Sequence, residues 1–317
     1  MKSQLKPRPI IVSVCMFLLT GLPAAVFAQS NYDRVFIFGD SLSDSGNIYV
    51  LTGETSKAPY ALVPSYPYAQ GGHHFSNGKT WAERLAQDLQ KNVGGKASLD
   101  KPGVNGNYAH GGARARANSG SQAPSSAQQV SMFLNDFGAA PSDALYIVQF
   151  GGNDLRDALI AGLSDPSAVG PILQSAVGEL AGSIQSLYLA GARHFLVANA
   201  PNIGYAPAVT MLGAGPVAGY LTSMHNVGLE GALWQLENGL PGISVRRLDL
   251  GGFIEEVVTH PADFGFTNVV EPCLNFLAEQ NAKCENPEMY FFWDGLHPTS
   301  AGHQALAVRA LEALSGS

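Results

Sequence analysis

Charge is scarce in this chain of 317 residues. Asp, Glu, Lys and Arg make up 14% of it, and acidic residues outnumber basic ones, 25 to 18. The net charge of −7 argues against nucleic acid or an anionic membrane surface as a partner held by bulk charge. Cysteine is scarcer still, at three. Cys15 lies in an N-terminal apolar run, which leaves Cys273 and Cys284 for the rest of the chain. Two cysteines cannot form a zinc site of the usual four-ligand kind. No long apolar run follows the first 28 residues, so no membrane-crossing helix is expected there. Internal repeats are absent, and so are several ligand motifs. Ser41 does not sit in G-x-S-x-G. Gly72 and the Gly78-Lys79-Thr80 triplet are one residue too far apart for a P-loop, and no strand precedes them. Gly213-Ala214-Gly215 lacks the third glycine of a dinucleotide fingerprint. His73-His74 has no acidic or cysteine cluster beside it and reads as loop, so no metal is expected.

What is present suits a large core. The hydrophobic fraction is 46%, too high for a disordered chain. The 36 glycines and 19 prolines imply many turns. Residues 1–28 read as a signal peptide: Lys2, Lys6 and Arg8 precede an apolar run from Ile10 to Leu19, and Val26-Phe27-Ala28 ends in a small residue. The alternative is a retained anchor, for which the run is short against the ~20 residues a span needs. Its removal leaves residues 29–317, read as a single domain, three charges more negative. Secretion or a periplasmic location is the expectation. Cys273 and Cys284, in a loop-like stretch, either close a small disulfide ring, which an oxidising compartment favours, or remain two thiols.

Along the chain, short apolar runs alternate with helical patterns. Val35–Phe38, Ala144–Phe150, Phe195–Ala198 and Ile243–Leu248 read as strands. Trp81–Lys91, Pro171–Ala190, residues 219–238 and Ser300–Leu314 read as helices. This alternation argues for βαβ units and a parallel sheet. Residues 117–128, rich in Ala, Ser, Gly and Gln, read as loop. Residues 52–79 carry prolines at 59, 64 and 67 and read as a long loop, a lid or substrate wall. Its Tyr60, Tyr66, Tyr68 and Phe75 either line an acyl pocket or only pack the loop.

Four motifs fall at strand ends or on loops near them: Phe38-Gly39-Asp40-Ser41-Leu42-Ser43-Asp44-Ser45-Gly46-Asn47, Asn107-Tyr108-Ala109-His110-Gly111-Gly112-Ala113, Gly151-Gly152-Asn153-Asp154 and Asp294-Gly295-Leu296-His297-Pro298. Open α/β sheets hold ligands at the carboxyl ends of their strands. A serine there becomes a nucleophile once a base takes its proton, and a carboxylate fixes the tautomer of a histidine base. Asp294 and His297, three apart, meet on one side of a helical turn. Backbone N–H groups at Ser41 and Gly112 and the Asn153 amide are candidate donors to an oxyanion. Ser43 and Ser45 are expected to hold the turn, as are Asp40 and Asp44. Asp154 is expected to cap the next helix. His303 is a second histidine near the end of the chain, without an aspartate three residues before it.

The Ser, Gly, Asn and His blocks, in this order, resemble the GDSL family of SGNH hydrolases across essentially the whole mature chain. Residues 74–86, HFSNGKTWAERLA, also resemble the branch with secreted GDSL lipases, lecithinases and haemolysin-like phospholipases. The resemblance implies an α/β fold, a flavodoxin-like three-layer α/β/α sandwich around a five-stranded parallel sheet. It implies Ser41 as nucleophile, His297 as base and Asp294 as its orienter. It places the oxyanion hole at Ser41, Gly112 and Asn153, with Gly111 as the alternative to Gly112. It requires no cofactor. The function it implies is a serine esterase or lipase acting on lipid or short-to-medium acyl esters through an acyl-enzyme. Phospholipase or glycerophospholipid acyltransferase activity and carbohydrate deacetylation are the alternatives within that class. A catalytically silent binding module and a nucleotide-binding α/β protein are the alternatives outside it.

Overall fold

Successive residues of a strand face opposite sides of its sheet, so a strand that is apolar throughout must be covered on both faces. In the computed structural model, three largely apolar runs of this kind and a more polar edge strand form one parallel sheet. They are β1 (Val35–Gly39), β2 (Leu145–Gln149), β3 (His194–Ala198) and β4 (Ser244–Leu248), side by side in chain order. Val35, Leu145, His194 and Ser244 are in register across it. The structure describes residues 32–52, 74–117, 120–274 and 283–316. The segment read as a signal peptide lies outside these, as do the prolines at 59, 64 and 67, Tyr60, Tyr66, Tyr68 and His73.

The helices are α1 (Asn47–Thr52), α2 (Trp81–Asp88), α3 (Ser126–Phe137), α4 (Gly152–Gly162), α5 (Val169–Leu189), α6 (Pro207–Thr210), α7 (Gly215–Gly239), α8 (Leu250–Thr259) and α9 (Ser300–Ser315). They form two outer layers. Val35, Ile37, Leu145, Ile147, Leu196 and Leu248 pack on α2, α8 and α9. Phe36, Phe38, Tyr146, Val148, Phe195, Val197 and Val245 pack on α3, α5 and α7. The result is an α/β/α sandwich. No helix of the described residues is long and apolar enough to cross a membrane.

Among the described residues four strands are observed where five were expected. Residues 106–110 occupy the place beside β1. Ile37 N–H donates to Gly106 O (2.9 Å), Tyr108 N–H to Ile37 O (2.7 Å) and His110 N–H to Gly39 O (3.1 Å). These are the bonds of a parallel neighbour. Only Asn107 also forms a bridge, to Ile37, because the chain then turns off into the His110-Gly111-Gly112 loop. The extended residues therefore extend the sheet without forming a regular strand.

Five helices, α1, α3, α4, α6 and α8, lie outside the helical runs read from the sequence, and α4 starts two residues before Asp154, the cap expected for it. α3 begins inside the stretch read as loop, where Gln128 Oε1 accepts from the Ser125 N–H (2.8 Å), half of a capping box. α4 follows directly on a run of glycines. Its cap, Gly151, has φ +117°, a left-handed conformation that glycine adopts without strain. α8 carries Gly251-Gly252 in its first turn, and Asp249 caps it by accepting from Gly252 N–H (2.9 Å). Glycines that read as turns lie here in the first turns of helices.

A disulfide joins Cys273 and Cys284. Next to it, Cys273 N–H donates to Phe292 O (2.9 Å) and Leu274 N–H to Trp293 O (2.7 Å). The bridge is thus tied to the segment that leads into Asp294. Closing a ring of this size removes loop entropy from the unfolded chain, worth about 3 kcal/mol in the chain-entropy model. A Cys273→Ser/Cys284→Ser protein is expected to lose about 2–4 kcal/mol of stability in guanidinium unfolding. An unchanged midpoint would show that the ring carries none of it.

Candidate active site

The first block turns sharply off the end of β1, and buried amides hold the turn. Gly39 lies against β2, where a Cβ would come within 2.8 Å of Gln149 O. Gln129 Oε1 accepts from Gly39 N–H, and Gln129 Nε2 donates to Gly39 O, both at 2.9 Å. The Asp40 carboxylate accepts from Leu42 N–H (3.0 Å), and its carbonyl from Ser43 and Asp44 N–H. Burial raises the Asp40 pKa to about 6. Ser43 turns inward and donates to Gln149 Oε1 (2.8 Å). Ser41 is left half-exposed at the tip of the turn.

Its hydroxyl meets His297 across 256 residues of chain, with Oγ 2.7 Å from Nε2. The other ring nitrogen, Nδ1, lies 2.7 Å from Asp294 Oδ2. A carboxylate can only accept, so Nδ1 carries the proton and Nε2 accepts from the Ser41 hydroxyl. Asp294 is buried, and its Oδ1 also accepts from the N–H groups of Leu296 and His297, both at 2.7 Å. The spacing of three works through this side-chain-to-backbone turn and not through a helix. Residues 294–297 are an irregular bend, closed by Trp293 N–H donating to His297 O (2.8 Å). A helix would direct those N–H groups to carbonyls and away from the carboxylate.

The second block is stitched to the first by Asp44. Its carboxylate is fully buried and accepts from Gly46, Asn47, Ile48 and Gly111 N–H groups. Burial pushes its pKa up. Because Gly111 N–H is directed to Asp44 (2.7 Å), it is not free for a ligand. Gly112 N–H has no acceptor among the described residues, nor does Ser41 N–H. Gly112 has φ +80° with open space where a Cβ would stand, so the backbone and not crowding calls for glycine there. Asn153, in the first turn of α4, donates through Nδ2 to Ala113 O (2.9 Å), which brings its amide beside Gly112. One amide hydrogen remains.

Asp154 does not cap α4. It lies inside the first turn, and its buried carboxylate accepts from Ala115 N–H (2.8 Å) and faces Arg116. Burial raises its pKa to about 6. It holds the loop after Gly112 against α4. His303 is buried away from Ser41, with Nδ1 accepting from Trp81 N–H (3.2 Å). Burial keeps its pKa well below the usual value. His74 reaches Glu83 (2.7 Å). No group of three or more potential metal ligands occurs among the described residues.

An apolar cavity opens at this centre. Ser41, Asn153 and His297 line it, together with Ile203, Val209, Leu250, Phe253, Phe291 and Leu306. Pattern reading of the sequence does not find this lining, because the residues come from α8, α9 and the segments before them and read only as core. Phe75 lies against the His297 ring (centroids 5.3 Å apart) and over Gly111, not in the cavity lining. Gln129 and Gln149 were also missed. A glutamine at the end of an otherwise apolar strand was the signal for Gln149.

The GDSL-like lipase/acylhydrolase family model matches residues 35–310, nearly the whole described chain. The chain belongs to this family. "GDSL esterase/lipase 5" of Arabidopsis thaliana is 26% identical, with 94% of this chain and 88% of that protein covered. "GDSL lipase" of Tanacetum cinerariifolium is also 26% identical, with 92% and 86% covered. Among solved structures, LAE5, an α/β hydrolase enzyme from the metagenome of Lake Arreo, Spain, overlaps 91% of this chain and 97% of its own. Its TM-score is 0.43 and its identity 16%. As a GDSL-type ester hydrolase, the chain carries its serine, glycine and histidine blocks on three separate loops and its asparagine block at the start of α4. All four belong to one continuous network of contacts around Ser41.

Proposed function

We propose that the protein is an exported serine esterase that cleaves lipid or short-to-medium acyl esters through an acyl-enzyme on Ser41. The observation that carries this reading is the chain Ser41–His297–Asp294, with both links at 2.7 Å, at the mouth of an apolar cavity. Ser41 Oγ attacks the ester carbonyl carbon as its proton passes to His297 Nε2. The imidazolium faces Asp294, which stabilises it. The carbonyl oxygen becomes an oxyanion, met by Ser41 N–H, Gly112 N–H and the Asn153 amide. Collapse breaks the ester bond, and the leaving alkoxide takes the proton from Nε2. Water then gives a proton to Nε2 and attacks the acyl carbon. The acid departs and Ser41 Oγ recovers its proton. The acyl chain lies in the apolar cavity, where burial of each CH₂ contributes about 0.8 kcal/mol.

Export rests on residues 1–28, with the pattern of a signal peptide followed by a single domain from residue 29. The Cys273–Cys284 bridge suits an oxidising compartment. The experiment is a panel of tributyrin, phospholipid and acetyl-xylan with the purified mature protein. Release of acid from tributyrin or phospholipid supports the reading, and turnover of none of the three refutes it. Transfer of the acyl group to an added sterol would replace hydrolysis by acyl transfer as the principal reaction.

The oxyanion role of Asn153 makes a separate prediction. Removing one such donor typically costs about 10²–10³ in kcat. Asn153→Ala is therefore expected to lower kcat on p-nitrophenyl butyrate by that factor with little change in KM. A kcat within threefold of the parent would remove Asn153 from the oxyanion hole.

A further inference from the structure

Among the described residues that line the catalytic cavity, Arg156 is the one arginine or lysine. It stands three residues after Asn153 on α4, a spacing that puts two side chains on the same helix face. It is half-buried. The two aspartates nearest to it in sequence do not neutralise it. Asp157 accepts from Arg114 (2.9 Å) and Arg116 (2.5 Å), and Asp154 faces Arg116. Asp40, the only carboxylate among the described residues of the cavity lining, is buried and accepts from Leu42 N–H. Arg156 itself has no hydrogen-bond or ion-pair partner among the described residues. A guanidinium without a counterion, beside a reacting centre in a chain of net charge −7, is placed to bind an anion.

We propose that Arg156 is an anion subsite that selects esters whose alcohol part carries a negative charge, a phosphate above all. The inference rests on the esterase reading for its place in the reaction. An acyl chain against the buried apolar lining, Phe253, Phe291 and Leu306, leaves the alcohol part of the ester for the half-exposed polar lining, to which Arg156 belongs with Ser41 and Asn153. The planar guanidinium offers two parallel N–H donors to a phosphate or carboxylate. A neutral ester gains nothing from this contact, so the arginine acts as a specificity determinant.

Binding tests this independently of turnover. In Ser41→Ala protein, dodecyl phosphate is expected to bind about 10- to 100-fold more tightly than dodecanol, the range of one charge-assisted pair. The preference is expected to shrink with added salt. Inorganic phosphate alone is expected to bind at least tenfold more weakly than dodecyl phosphate, since it lacks the apolar anchor. Adding Arg156→Gln is expected to bring dodecyl phosphate and dodecanol to within threefold of each other. In Arg156→Gln protein with Ser41 intact, the ratio of kcat/KM for a lysophosphatidate over that for the matching monoacylglycerol is expected to fall at least tenfold. Equal binding of the two dodecyl ligands, a preference that survives Arg156→Gln, or inorganic phosphate binding as tightly as dodecyl phosphate would each overturn the anion subsite. Failure of the parent protein to turn over any ester would instead overturn the esterase reading, while the binding results stand by themselves.

Discussion

Replacing Ser41 with alanine is expected to lower ester turnover by roughly 10⁴–10⁶-fold, because loss of a serine nucleophile removes the covalent route entirely. The same substitution is expected to abolish labelling by a fluorophosphonate, which reports the activated hydroxyl directly. Two other serines lie within four residues, and neither is placed to substitute. Ser43 is fully buried and donates to Gln149. The Ser45 hydroxyl is buried as well. Ser41 alone of the three faces an imidazole nitrogen. Active-site labelling followed by peptide mapping, beside initial rates on p-nitrophenyl butyrate, checks both expectations. Full labelling of the Ser41→Ala protein would move the nucleophile elsewhere and dissolve the proposed mechanism. The substitution removes one hydrogen bond at the tip of the turn. The supports of that turn, Gln129, Gln149 and the Asp40 carboxylate, remain, so the fold is expected to persist.

Asp294→Asn is expected to reduce kcat by roughly 10⁴-fold, the cost of holding a catalytic histidine in the wrong tautomer. An asparagine keeps an oxygen that can accept from the N–H groups of Leu296 and His297, so the bend at 294–297 survives. Its amide nitrogen, facing Nδ1, donates where the carboxylate accepted. Nδ1 must then be the unprotonated nitrogen and Nε2 the protonated one. Nε2 would now donate toward Ser41 and could no longer take its proton. Measurement of kcat and of thermal unfolding separates this tautomer effect from damage to the fold. The expected pattern is a large loss of rate with unfolding near that of the parent. A loss of less than tenfold would show that His297 keeps its orientation without the carboxylate.

Both predictions concern residues legible in the sequence, and the reason lies in chemistry. A hydroxyl, an imidazole and a carboxylate of this kind are recognisable from a few neighbours: Gly39-Asp40 before Ser41, and Gly295-Leu296 between Asp294 and His297. The strands were legible for a similar reason. β1, β2 and β3 are short, largely apolar runs buried on both faces, β4 is an edge strand that buries only Val245 and Leu248, and the four occupy nearly the predicted places. The helix starting at Leu250 was hidden, and the start of the helix at Gly152 was misplaced to after Asp154, because glycine, which marks turns in a sequence, here lies in the first turns of helices.

The sequence by itself determined the residue types of the site, their order, the parallel α/β class and the pairing of Asp294 with His297 across three positions. These are local matters, set by patterns of a few residues. Only the tertiary structure decided what depends on groups distant in the chain. It directed Gly111 N–H to Asp44 and left Gly112 N–H without an acceptor among the described residues, a choice between adjacent glycines that no local pattern makes. Residues 106–110 lie beside β1 without forming a regular fifth strand. The apolar cavity draws on residues from Ser41 to Leu306. Among the described residues Arg156 lacks a counterion, because Asp154 and Asp157 turn toward arginines of another loop. Hydrogen-bond donors and charges find partners in space, and the chain separation of those partners sets how far a sequence can disclose them.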